Sequence, residues 1–144
     1  MLTNKICLVT GGAQGIGRCI VETFAKQNAL LVIGCDMNVS GMADLEKEYS
    51  NVRSLELNVC NRQSIENAVN QLKEEFGRID VLVNNAGVTR DNLIDKMTED
   101  EWDTVVEVNL KGVFNMTQAI APLMMANEQG AIITMSSVVG TDGN

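Results

Sequence analysis

Apolar and polar positions along the chain alternate between two periods. Residues 5–10 form a short apolar run ending in glycine, the pattern of a buried strand. Ile16, Ile20 and Phe24 then recur at helical spacing, with Val21 beside them. Residues 29–35 predict a second strand, 42–49 a short helix and 52–57 a third strand. Asn61 is placed to cap a helix whose stripe is Ile65, Val69, Leu72 and Phe76, and Gly77 ends it. Residues 79–83 predict a fourth strand and 131–135 a fifth. Between them, Glu99 to about Asn127 predicts one long helix with Trp102, Val105, Val106, Val113 and Phe114 on its apolar side. The single proline, Pro122, falls late in that helix, where a kink or local break is expected.

Strands that alternate with helices, and that are apolar throughout, predict an α/β fold with a parallel sheet covered on both faces. Right-handed crossovers make it doubly wound. No linker, repeat or low-complexity segment divides residues 1–144, so one domain is expected.

Composition narrows the partners. The net charge is −8 and no basic block occurs, so a nucleic-acid or anionic-membrane surface is not expected. Four cysteines stand without a C-x-x-C pair and histidine is absent, so no metal site is expected. Cys7 and Cys35 lie in apolar runs, where a free thiol behaves as a small hydrophobe. Unpaired thiols fit a reducing cytoplasm. The apolar run 6–9 is too short for a secretory signal core, and no run is long enough to span a bilayer.

The chemistry begins at Thr10-Gly11-Gly12-Ala13-Gln14-Gly15-Ile16-Gly17, between the first strand and the first helix. Gly11 allows a tight turn, Gly15 lets the backbone approach a pyrophosphate, and Gly17 lets the helix close on the sheet. Gln14 and Ile16, flanking Gly15, belong to the same candidate cofactor set. Asp36 ends the second strand, where a carboxylate can accept hydrogen bonds from an adenosine ribose and repel a 2′-phosphate by about 1–4 kcal/mol. Its neighbour is Met37 and no Lys or Arg stands beside it, which favours NAD over NADP.

With Asn84-Asn85-Ala86-Gly87 added to the turn at 10–17, the chain resembles the short-chain dehydrogenase/reductase family over its whole length. The resemblance implies a Rossmann-type doubly wound sheet ordered 3-2-1-4-5, with the family's C-terminal strands and helices missing from these residues. Within the family, Gly87-Val88-Thr89-Arg90-Asp91-Asn92-Leu93, Glu101-Trp102, Val108-Asn109-Leu110-Lys111-Gly112 and Ser136-Ser137-Val138-Val139-Gly140 resemble 3-oxoacyl-[acyl-carrier-protein] reductases. It implies that Asn85, Ala86 and Gly87 wall the adenine ribose while Asn84 ties strands together. Asn58 and Val59 stand where the family has Asp-Val against the adenine ring.

The same resemblance gives Ser137 the role of hydrogen-bonding the substrate oxygen. Asn109 would anchor a water-linked proton relay. The proton donor and its lysine, a Tyr-x-x-x-Lys pair, are expected beyond Asn144, and Tyr49, followed by Arg53, cannot replace them. The 144 residues are therefore expected to be the amino-terminal part of a longer enzyme, inactive alone, whose complete form is a homotetramer or dimer. The expected reaction is NAD(P)-dependent reduction of a 3-oxoacyl thioester carried by acyl carrier protein or CoA, of the fatty-acid synthesis type. Residues 124–130 hold no Lys or Arg for an acidic carrier. Two alternatives therefore remain open: an NAD-dependent dehydrogenase of a small alcohol or sugar, and a non-catalytic dinucleotide-binding module.

Overall fold

The computed structural model describes residues 1–142. Five parallel strands lie in the order β3-β2-β1-β4-β5: β1 Ile6–Thr10, β2 Leu31–Asp36, β3 Val52–Glu56, β4 Val81–Asn84 and β5 Ala131–Thr134. This is the doubly wound sheet and order expected from the sequence. The register places Val9 beside Gly34 on one side and Val83 on the other. Strands β1 and β4 are buried along their whole length, as a central parallel strand with both faces covered must be.

Alternate side chains feed two cores. Leu8, Ile33 and Leu82 pack with Ile65, Leu72, Met116 and Ile120 on one face. Cys7, Val9, Val32 and Val83 pack with Val21, Ala25, Met42 and Leu45 on the other. The helices are α1 Gly15–Lys26, α2 Ala43–Glu48 (after a 3₁₀ turn, Val39–Met42), α3 Arg62–Phe76, α4 Glu99–Val105, α5 Gly112–Ala126 and α6 Val139–Asp142. Asn61 caps α3 by accepting from the Ser64 amide at 3.1 Å, and Gly77 ends it at φ +71°. Among the described residues no helix is long and apolar enough to cross a membrane.

Four expectations change. The buried seam of α1 is Gly17, Val21 and Ala25, while Ile16 is exposed. Small residues take the seam because the helix start lies directly on the glycine turn. The long helix is continuous from Glu99 but is π-helical over Val106–Lys111. That wider stretch shifts the phase of the face that follows. The side buried after it is Asn115, Met116, Ile120, Leu123 and Met124, whereas Trp102 and Phe114 point to solvent. The helix does not break at Pro122 but continues to Ala126. Strand β5 is exposed at every position, including Ile132 and Ile133.

Candidate functional site

Because the strands are parallel, their carboxyl ends share one edge, and the segments leaving β1, β2, β3 and β4 converge there. They enclose a cavity of about 620 Å³. It is lined by Gly11, Gln14, Ile16, Gly17, Asp36, Asn58, Val59, Asn85, Ala86 and Gly87, so every expected cofactor residue except Gly15 borders it. Among the described residues no Lys or Arg does.

The glycine turn has the form a pyrophosphate needs. Gly11 at φ +66° and Gly15 at φ +54° occupy the left-handed region. A Cβ at Gly15 would have no heavy atom within 4 Å, so the backbone there faces open space. A Cβ at Gly17 would fall 2.0 Å from the Gly11 carbonyl oxygen, so only glycine lets α1 start this close to the turn. Gln14 precedes α1 without a capping side-chain bond, and no acidic residue lies in the first turn. That leaves the first amides of α1 without a side-chain acceptor, a suitable place for an anionic group.

The turn is welded to β4 through Thr10 and Asn85. The Thr10 hydroxyl accepts from the amides of Asn85 and Ala86, each at 3.0 Å. Asn85 Nδ2 donates to the carbonyls of Thr10 at 2.9 Å and Gly11 at 3.2 Å. One part of the expected division of labour in the Asn-Asn pair changes, while Asn85 keeps its place at the cavity wall. Asn85 ties the strand ends together, because its side chain sits over the first glycine. Asn84, one residue earlier and on the other face, donates instead to Thr117 of α5 at 3.2 Å.

Asp36 Oδ2 accepts from the Ala13 amide at 3.2 Å and Oδ1 from the Asn38 amide at 3.4 Å. The carboxylate thus faces the cavity while holding the turn. Asn58 accepts from the Cys60 amide at 2.9 Å, which folds residues 58–60 back on themselves. Val59 is fixed from behind. Asn115 Nδ2 donates to its carbonyl at 3.0 Å, and a Cβ on Gly112 would meet Val59 Cγ2 at 2.8 Å.

The two expected catalytic residues stand apart from that set. Asn109 lies in the π-helical segment, and its amide pairs both ways with the Val88 peptide, donating at 2.9 Å and accepting at 2.8 Å. Val88 in turn lines the cavity. Ser137 follows β5 at the same edge of the sheet, exposed, with its hydroxyl accepting from the Val139 amide at 3.3 Å. It does not border the cavity.

The cavity also takes in Cys35, Met37, Leu57, Cys60, Val88, Thr104, Glu107 and Val108. Thr104, Glu107 and Val108 carry a helical-face signal, at i, i+3 and i+4, but no motif marks them. Burial, with Asp36 beside it, pushes the Cys35 thiol up to about 12. Burial, with Glu107 next in effect, raises Cys60 as well. Both thiols therefore stay protonated near neutral pH and act as apolar lining, not nucleophiles.

Residues 5–144 match the family model for short chain dehydrogenases. The chain is 45% identical to the 3-oxoacyl-[acyl-carrier-protein] reductase of Thermotoga maritima, over 99% of this chain and 59% of that protein. It is 46% identical to the reductase of that name from Escherichia coli, over 98% of this chain and 58% of that protein. It therefore spans about three-fifths of the length of these curated relatives. Among solved structures, a short-chain dehydrogenase from Streptomyces avermitilis superposes with a TM-score of 0.89 at 31% identity, over 94% of this chain and 50% of that one. The structure of gox2181 superposes at 0.93 and 35% identity, over 99% and 57%. With its glycine turn, its strand order and this likeness over nearly every residue, the chain belongs to the short-chain dehydrogenase family.

Proposed function

We propose that this chain is the dinucleotide-binding part of an NAD(P)-dependent reductase of 3-oxoacyl thioesters, with NAD the preferred cofactor. The observation that carries this is the cavity itself. An open, positive-φ glycine lies at one end, and a carboxylate at the ribose end has no cation among the lining residues.

Gly11, Gly15, Gly17 and the first amides of α1 would hold the pyrophosphate. Asp36 would accept from the ribose hydroxyls, and Asn58 and Val59 would flank the adenine. Asn85, Ala86 and Gly87 would wall its ribose. When bound, the nicotinamide supplies the hydride that converts the ketone to an alcohol. Ser137 would hydrogen-bond the substrate oxygen and so fix the carbonyl. Asn109, by locking the Val88 peptide, would shape the floor beside it. Exposed Leu110 and Phe114 on the long helix favour burial between subunits, in line with a homo-oligomer. Residues 124–130 lack Lys and Arg, which favours CoA over an acidic carrier protein as the handle of the thioester.

Calorimetric titration with NADH and NADPH tests the reading. NADH should bind more tightly, and Asp36→Asn should narrow the difference by removing repulsion of the 2′-phosphate while keeping an acceptor for the Ala13 amide. Tighter binding of NADPH by the unaltered chain would overturn the assignment of NAD.

A further inference from the structure

Behind the adenosine end of the cavity, the 3₁₀ turn Val39–Met42 is bolted to the glycine turn. Arg18, in the first turn of α1, makes the bolt. Its guanidinium donates to the Gly41 carbonyl, and its fork reaches both carboxylate oxygens of Asp44, at 2.9 and 2.6 Å. Gly41 is pressed on the glycine turn, since a Cβ there would fall 2.4 Å from the Ala13 carbonyl oxygen. The Ala13 amide in turn donates to Asp36. From Asp36 the connection continues through the Asn38 amide, and Asn38 Oδ1 accepts from the Ser40 amide at 3.0 Å. Met42 then fills the space above Gly34. A closed circuit thus runs from α1 through Gly41 and Ala13 to Asp36 and Met37, which line the cavity. Arg18 and Asp44 themselves do not line it.

We propose that Arg18, paired with Asp44, is a positioning residue for the cofactor. It clamps the turn after β2 onto the glycine turn and so holds Asp36 and Met37 in place against the adenosine ribose. This rests on the dinucleotide reading above. The Arg18 hydrogen bond holds the Asp44 carboxyl down to about 2, so the pair stays ionised well into acid. Exposed ion pairs add little to global stability, so a clamp and a merely structural bridge predict different readouts. A lysine keeps the charge but cannot reproduce the planar fork.

The test titrates the chain and its Arg18→Met, Arg18→Lys and Asp44→Asn variants with NADH and with AMP, alongside thermal unfolding and amide hydrogen exchange. Arg18→Met and Asp44→Asn should each weaken both ligands by about five- to tenfold, as expected when a wall must be ordered on binding. Exchange at residues 37–42 should speed up, while the unfolding midpoint moves by no more than about 4 °C. Arg18→Lys should recover part of the affinity. Asp44→Asn binding as tightly as the unaltered chain would overturn the proposal, because a freed Arg18 would then be acting by direct contact or not at all. Unchanged affinity in Arg18→Met would overturn it too, as would an affinity loss matched by a large fall in midpoint with no recovery in Arg18→Lys. An unaltered chain that binds neither NADH nor AMP would remove the dinucleotide reading itself, and the clamp with it.

Discussion

Replacing Gly17 by alanine tests the contact on which the whole site is built. The added methyl would lie 2.0 Å from the Gly11 carbonyl oxygen, 2.5 Å from Asn85 Nδ2 and 2.8 Å from the Gly11 carbonyl carbon. Carbon–oxygen contacts settle near 3.3 Å or beyond, so α1 and the turn must separate by more than about 1 Å. The nearest atoms cannot swing away. Two are backbone, and the third donates to the Thr10 and Gly11 carbonyls. Overpacking of this kind costs about 1–3 kcal/mol. Disrupting the Asn85 bonds adds about 1 kcal/mol each, against a gain of roughly 1 kcal/mol in helix propensity. The net loss is about 2–4 kcal/mol, or a fall in unfolding midpoint of roughly 5–15 °C. Binding of NADH should weaken by at least about tenfold, since the first amides of α1 move with the helix. Gly15→Ala is the control. No atom lies within 4 Å of its Cβ, so it carries only the strain of φ +54°, about 1–2 kcal/mol. Calorimetry and nucleotide titration on both variants decide the matter. A Gly17→Ala chain that unfolds within about 2 °C of the parent and binds NADH equally well would refute the close-contact argument.

Further outcomes follow from the buried polar groups and the open edge. Asp80 accepts from the Ile6 amide at 2.8 Å and pairs with Lys5 at 3.6 Å and Arg78 at 3.3 Å. Asp80→Ala leaves that amide unpaired and should cost about 1–3 kcal/mol in urea unfolding, with no selective effect on NADH binding. Burial raises the Cys7 and Cys35 thiols from 9.0 to about 12, so in the unfolded chain they ionise first. The unfolded state then binds fewer protons, and the stability these thiols confer, complete below pH 9, should be lost progressively between pH 9 and 12. Denaturant midpoints across that range would show it, and a flat profile in which Cys7→Ala and Cys35→Ala behave like the parent would contradict it. At β5, Ile132 and Ile133 are 41% and 46% exposed on an edge strand, so light scattering should show concentration-dependent association that Ile133→Lys reduces.

The succession of strands and helices along the chain was legible in the residues themselves, because each element rests on local chemistry, while the sheet order 3-2-1-4-5 was implied by the family resemblance. Continuous apolar runs mark the strands of a parallel sheet, with β5 an apolar run at its exposed edge, and a glycine turn between strand and helix carries its own geometry. The side chains that Asn84 and Asn85 reach were not legible, since two identical adjacent residues differ only in which face of β4 each takes. Nor was the burial phase of the long helix. Six π-helical residues, Val106–Lys111, rotate the face beyond them, and no spacing rule reports that change. The sequence by itself thus determined the strand–helix architecture and which loops gather at the carboxyl edge of the sheet. Only the tertiary structure decided that Asn115 and Gly112 hold Val59, that Asn109 is engaged by Val88, and that Arg18 reaches across to Gly41 and Asp44. Those contacts join segments more than twenty residues apart, and their energies depend on distances that exist only once the sheet has brought its strand ends together.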